Sequence, residues 1–153
     1  MSVEPAPAEG SAGPAEPASR TEDITLEFVQ QDEELSSFIS AADRVMEGLG
    51  YTEHGFRHAN LTARIAFNVL SRVGFETHTA NLACVAGYLH DVGNMISRYA
   101  HGQTGGVLVY QALHDRVPAT DLAQIVAAIA NHEEDNGYAV SPVSAAVILA
   151  DKS

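Results

Sequence analysis

The chain has 153 residues, of which 46% are hydrophobic, so it can form one domain with a hydrophobic core but is short for two. Its 8 basic and 20 acidic side chains give a formal net charge of −12, which argues against nucleic-acid binding through a broad basic surface. The single cysteine excludes an intramolecular disulfide and a thiolate-built zinc site, and no apolar run approaches the ~20 residues that span a bilayer. We therefore expect a cytoplasmic protein without a membrane segment, and an oligomer is compatible with this composition.

The first segment, 1–22, is rich in proline, alanine and glutamate. Val3 is its only larger apolar side chain after the initiator methionine. Such a segment buries too little apolar surface to offset the entropy lost on ordering. We predict a disordered leader over 1–22 and a single domain over 23–153.

Helical periodicity begins after Asp32, where apolar residues recur at spacings of three and four. This first helix is expected to stop near Gly48 or Gly50. A second helix is predicted to end at Gly74. Its inward face is expected to carry His58, Leu61, Ile65 and Val69.

The third predicted helix begins at Thr77 or Thr79 and has an apolar face that ends at the adjacent pair His90-Asp91. Gly93 follows the pair and suits a turn of the chain there. These features predict a polar pair placed at the end of a buried helix.

The fourth helix is predicted from His101 or Thr104 to His114, although Gly105 and Gly106 weaken its start.

Two more helices complete the pattern. One is capped by Thr120 or Asp121 and leads to His132. The other starts at Ser141-Pro142, with serine as the cap and proline in the first turn, and carries Asp151 on its inward face. No stretch alternates with the period of a strand, so the prediction is an all-α bundle of about five or six helices.

The pair His90-Asp91 carries the strongest functional signal. A histidine and a carboxylate at the end of a buried segment cost desolvation free energy unless they are paired or bound to a cation. Imidazole nitrogen and carboxylate oxygen are ligands that Zn, Mn, Fe and similar ions accept. The candidate is a metal site gathered from several helices, although spacing alone does not distinguish it from a set of structural or surface histidines. The further candidate ligands are His58, His101, His132 and Asp151.

The order His58, then His90-Asp91, then Asp151 resembles the HD superfamily of metal-dependent phosphohydrolases, which is named for its adjacent histidine and aspartate. The resemblance covers residues 51–153. It is carried by Tyr-Leu-His-Asp-Val-Gly-Asn at 88–94, which looks like the central motif of the family, and by Ala-Asp-Lys-Ser at 150–153, which looks like its closing motif.

The resemblance implies an HD-type helical bundle in which His58, His90, Asp91 and Asp151 coordinate one divalent metal. The two-metal branches place additional ligands where this chain has His101 and His132, which implies a second ion bridged through Asp91. Mn, Fe, Zn, Co, Ni and Mg are not distinguished by such a set. The glycine-tyrosine-proline signature of the cyclic-dinucleotide phosphodiesterase branch is absent, because Ala139 follows Gly137-Tyr138.

The implied activity is hydrolysis of a small-molecule phosphomonoester or phosphodiester, nucleotide-like, through metal-activated water. Asp91 would then be catalytic as the residue shared by two ions, and Arg98 and Lys152 would act on the phosphate as an electrostatic clamp. An exposed surface arginine is the alternative for Arg98. Asn94 stands where the phosphodiesterase branch commonly has lysine, so that cation is absent.

Two other functions stay open. The ligand order also resembles the di-iron oxygenases built on this scaffold, similar to inositol oxygenase. The domain could instead be a non-catalytic module that binds a nucleotide or a partner and keeps a metal for structure.

Three local features are interpreted separately. His54 lies one helical turn before His58, and we expect that it does not bind metal. The alternative is that His54 or Glu53 is an additional ligand. The acidic run 133–135 is interpreted as a solvated cluster beside His132, and cation recruitment is its alternative. Because the chain ends two residues after Asp151, we expect it to be a fragment of a longer protein.

Overall fold

The structure is a computed structural model, and it describes residues 24–51, 55–133, 135 and 137–153. These ranges contain seven α-helices, one short 3₁₀ helix and no strand, which confirms the predicted all-α fold. The predicted leader over 1–22, together with Glu53 and His54, lies outside the described residues. The helices are α1 (Leu26–Gln30), α2 (Glu33–Gly48), α3 (Phe56–Val73), α4 (Thr77–Leu89), the 3₁₀ helix (Val92–Met95), α5 (His101–Leu113), α6 (Ala119–Ala130) and α7 (Pro142–Asp151).

Several helix ends form where the local sequence predicts them. The Asp32 carboxylate accepts from the backbone N–H of Leu35 at 2.9 Å and caps α2. Gly74 adopts a left-handed conformation with φ of 97° and closes α3. Ser141 caps α7 by accepting from the N–H of Ser144 at 3.1 Å.

Two predicted caps are wrong. The N-cap of α4 is Glu76, so Thr77 is already helical, and the N-cap of α6 is Pro118. Asp121, which was predicted as a cap, lies in the first turn of α6 and contacts His78 Nε2 at 3.0 Å. Its carboxylate therefore joins the start of α6 to α4 instead of capping its own helix.

The inward face of α3 also differs from the prediction. Leu61 is 49% exposed, whereas the buried side of the helix consists mainly of small residues. Small side chains let α3 approach α4 closely, and Gly87 on α4 has the Thr62 carbonyl 3.1 Å from where its Cβ would be. The close approach of the two backbones therefore leaves Leu61 on the outer side of α3. The buried positions of α3 are Ala59, Thr62, Ala63, Ala66 and Leu70.

The central helix of the bundle is α4, which packs against α3, α6 and α7. Every residue from Leu82 to Leu89 is buried, so this part of the helix is apolar on all sides, and His90 after it is buried as well. Its carboxyl end lies inside the protein and carries the pair His90-Asp91 into the bundle. None of the described helices combines the length and the apolarity needed to cross a bilayer.

Glycines bring α5 against this end of α4. A Cβ on Gly93 would lie 1.9 Å from the carbonyl oxygen of His101, and one on Gly102 would lie 3.0 Å from the carbonyl of Ile129. The start of α5 therefore touches both the 3₁₀ helix and α6. Gly105 and Gly106, which were expected to weaken this helix, are buried within it and face its neighbours.

Candidate metal centre

All six side chains that the sequence nominated as ligands meet in one place, and each stands at or near a helix end. His58 lies in the first turn of α3, and His90 and Asp91 follow α4 directly. The others are His101 at the first residue of α5, His132 just after α6, and Asp151 at the last residue of α7.

The first group of donor atoms comes from α3, α4 and α7. Nε2 of His58 and Nε2 of His90 lie 3.3 Å apart, and each lies 3.1 Å from Oδ1 of Asp151. Oδ2 of Asp91 lies 3.4 Å from His90 Nε2 and 3.8 Å from His58 Nε2. Four donor atoms thus converge on one point from three helices.

The second group lies on the other side of Asp91. Nε2 of His101 and Nε2 of His132 are 3.0 Å apart. Oδ1 of Asp91 lies 3.2 Å from His101 Nε2 and 4.0 Å from His132 Nε2. The two oxygens of Asp91 therefore face different histidine pairs, which is the arrangement of a carboxylate shared between two cations.

The spacing of the donor atoms fits metal coordination. Bonds of about 2.1 Å at tetrahedral or octahedral angles place neighbouring ligand atoms about 3.0 to 3.4 Å apart. Most of the distances within each group fall in this interval. Three sets of His and Asp atoms, each within 4.8 Å of one another, could hold an ion.

The far sides of the histidine rings support the same conclusion. Nδ1 of His90 donates to the carbonyl of Gly87, and Nδ1 of His132 donates to that of Ile129, both at 2.7 Å. A proton fixed on Nδ1 leaves the Nε2 lone pair free to coordinate, as in most histidines that bind metals. Both Nε2 atoms point into the centre of the cluster.

The electrostatics differ between the two histidine groups, because the pKa is raised at His90 and lowered at His132. Burial lowers the pKa of His90, but the adjacent Asp91 and Asp151 outweigh this effect and hold its pKa well above the usual value. Burial raises the pKa of Asp151, but hydrogen bonds from His58 and His90 outweigh it, so its pKa lies below the usual range. Burial also lowers the pKa of His132 to about 4, so this imidazole is neutral and suited to coordination.

Two residues that contact candidate ligands were missed by sequence reasoning. The Glu133 carboxylate contacts Nδ1 of His101, and the Asn94 amide contacts Asp91. Glu133 had been interpreted as part of a solvated cluster, yet its side chain is only 14% exposed. The available signals were the position of Glu133 directly after His132 and of Asn94 within the motif at 88–94.

A cavity of about 470 Å³ opens onto the cluster. Arg98 and Lys152, the two predicted clamp residues, line it together with Tyr99. Nη1 of Arg98 lies 3.1 Å and 3.2 Å from the two ring nitrogens of His101, and its guanidinium carbon lies 5.8 Å from the Tyr51 ring centre. The predicted clamp residues are thus brought to the same cavity as the predicted ligands.

Comparison of the chain with protein-family models, with curated proteins and with solved structures found no match. The fold and the cluster themselves define the class: an all-α protein whose buried His/Asp groups could hold metal ions. Such a cluster is compatible with a site of the HD type.

Proposed function

We propose that this protein is an HD-type phosphohydrolase that uses two divalent metal ions to hydrolyse a small-molecule phosphoester. The observation that carries the proposal is the position of Asp91, whose two carboxylate oxygens face different histidine pairs at 3.2 Å and 3.4 Å. A carboxylate shared in this way suits paired ions of the kind used in phosphoester hydrolysis.

Each ion has its own set of holding residues. His58, His90 and Asp151 would hold the first ion, and His101 and His132 the second, with Asp91 common to both. Divalent ions bound there lower the pKa of water and offset negative charge on phosphate oxygens. The protein supplies the orientation of the ligands, through Nδ1 hydrogen bonds of His90 and His132 to backbone carbonyls.

The cations at the cavity would bind the phosphate. The Arg98 guanidinium can donate two parallel hydrogen bonds to phosphate oxygens, and Lys152 adds a second positive charge on the cavity wall. A cavity of about 470 Å³ is suited to a small molecule. We therefore propose a phosphomonoester or phosphodiester of nucleotide size as the substrate class.

The test uses protein purified without chelator, followed by elemental analysis and assay against phosphomonoesters and phosphodiesters with Mn²⁺, Zn²⁺, Co²⁺, Ni²⁺ and Mg²⁺, and with Fe²⁺ under anaerobic conditions. We expect two ions per chain and phosphate release that a chelator abolishes. The variants His90→Ala and Asp91→Ala should lose both properties. Bound metal without hydrolysis of any ester would contradict the proposed reaction.

The same preparation separates the alternatives. A di-iron oxygenase would contain iron, give a mixed-valence electron resonance signal and consume dioxygen. A non-catalytic module would bind metal, and the His90→Ala variant would lose folding stability while no reaction is detected in the parent.

A further inference from the structure

Asn94 has no exposed surface, and its position in the 3₁₀ helix places it three residues after Asp91. Its side-chain Nδ2 donates to Asp91 twice, to the carboxylate Oδ1 at 2.9 Å and to the backbone carbonyl at 3.1 Å. Its backbone N–H donates to the same carbonyl at 3.0 Å. Among the described residues, the side-chain and backbone nitrogens of Asn94 thus both donate to Asp91.

The chemistry of Asp91 decides which way the Asn94 amide faces. A carboxylate oxygen and a carbonyl oxygen both accept, so the NH₂ group must face them and the amide oxygen must face away. That amide oxygen is buried and has no hydrogen-bond partner among the described residues. An unsatisfied buried acceptor costs stability, so Asn94 is poorly explained as a residue that serves packing alone.

The contact restricts the rotation of the Asp91 carboxylate. With Oδ1 bound to Asn94, the same oxygen lies 3.2 Å from His101 Nε2, and Oδ2 is left facing His58 and His90. A side chain at 94 without a donor would let the carboxylate turn about its Cβ–Cγ bond. Both groups would then lose a correctly placed oxygen, and the effect should be larger in the second group, which has only two histidines besides Asp91.

We propose that Asn94 is a positioning residue that fixes the Asp91 carboxylate so that the His101–His132 half of the cluster can hold the second ion. The inference rests on the two-ion function proposed above. Position 94 carries no positive charge that could bind the phosphate. Its proposed role is instead to orient the side chain of Asp91.

The test compares Asn94→Leu, which keeps a side chain of similar size without a donor, with Thr62→Val as a matched control. Thr62 is also fully inside the protein, on α3, and its hydroxyl oxygen has no hydrogen-bond partner among the described residues. Mn²⁺ or Zn²⁺ is titrated calorimetrically into the metal-free proteins, and bound ions are counted by elemental analysis after dialysis. Thermal midpoints of the metal-free proteins are recorded in parallel, and Asn94→Ala is a second variant in case the leucine is not accommodated.

We expect two ions in the wild type and in Thr62→Val. The Asn94 variants should keep the first ion and bind the second at least about tenfold more weakly, as is usual when a residue that orients a ligand is removed. The midpoint of metal-free Asn94→Leu should change little, because the loss of the two hydrogen bonds to Asp91 is offset by removal of the unsatisfied amide oxygen.

Second-ion binding equal to that of the wild type in both Asn94 variants would overturn the inference and leave the proposed function intact. An equal loss in Thr62→Val would overturn it as well, because any change in core polarity would then produce the effect. Fewer than two ions in the wild type would overturn the two-ion function and this inference together.

Discussion

Nε2 of His90 lies 3.1 Å from Oδ1 of Asp151, although the two residues are 61 positions apart. The contact joins the carboxyl ends of α4 and α7, which are neighbouring helices in the bundle. His90 is completely buried, so its contact with Asp151 places the Asp151 carboxylate next to the interior of the protein. The last helix of the described chain is therefore joined to the centre of the candidate site through a candidate ligand.

Replacing Asp151 with asparagine keeps the shape of the side chain but removes its charge. We expect the metal affinity to fall by more than about tenfold. Removing a residue that only orients a ligand already costs about tenfold, and loss of a ligand should cost more. Calorimetric titration of the metal-free protein with Zn²⁺ measures the affinity. The control is Asp115→Asn, because the Asp115 side chain is 80% exposed and contacts His114 outside the cluster. Equal affinities in both variants would remove Asp151 from the ligand set.

Arg98→Met should lower kcat/KM for the phosphoester by at least about tenfold, since it removes a cation that stabilises developing negative charge. Metal content should stay at the wild-type level, because Arg98 contacts His101 without belonging to the donor groups. The control is Arg72→Met, in the last turn of α3 and outside the cavity. An unchanged kcat/KM in Arg98→Met would exclude a role of that arginine in binding the phosphate.

Gly93→Ala tests the close approach of α5 to the end of α4. A Cβ at this position would lie 1.9 Å from a backbone oxygen, which cannot move away as a flexible side chain could. We expect a loss of at least about 2 kcal/mol in the free energy of unfolding, within the range for overpacked interiors. Urea denaturation provides the measurement.

Gly48→Ala is the control for Gly93→Ala. Gly48 is the last residue of α2 and has no heavy atom within 4 Å of its built Cβ, so alanine should stabilise by up to about 1 kcal/mol. Similar losses in both variants would show that the effect at position 93 is not a steric contact with α5.

Asp32 predicts a pH dependence of stability that does not involve the cluster. Burial raises the pKa of Asp32, but the N–H of Leu35 and the guanidinium of Arg116 outweigh it and lower the pKa below the usual value of 3.8. Because the folded-state pKa is the lower one, this stabilisation is present above about pH 4 and is lost as the pH falls through the folded-state pKa.

Asp32→Asn keeps a capping side chain but loses the charge. We expect it to be less stable than the wild type at pH 7, with a difference that shrinks as the pH falls below about 4, as measured by urea denaturation across this range. Asp32→Ala should cost about 1 kcal/mol at pH 7, because the cap is lost as well. A difference between Asp32→Asn and the wild type that did not change with pH would contradict the ionic contribution of Arg116.

Local features of the sequence were sufficient for much of the fold. Cap residues such as Asp32 and Ser141 and the closing glycine Gly74 act within a few residues of their own position, so the pattern places the ends of α2, α3 and α7 correctly. Asp121 was misinterpreted because its partner, His78, lies 43 residues away, on another helix.

Helical periodicity and capping are local properties of the chain, so the all-α fold could be predicted from the order of the residues alone. The sequence also nominated the six candidate ligands, because residue type and order are visible without coordinates. The packing of the helices was needed to show that the two oxygens of Asp91 face different histidine pairs, and that Asn94 and Glu133 contact two of the candidate ligands. These relationships depend on side-chain directions at the ends of several helices, and those directions follow from how the helices pack together.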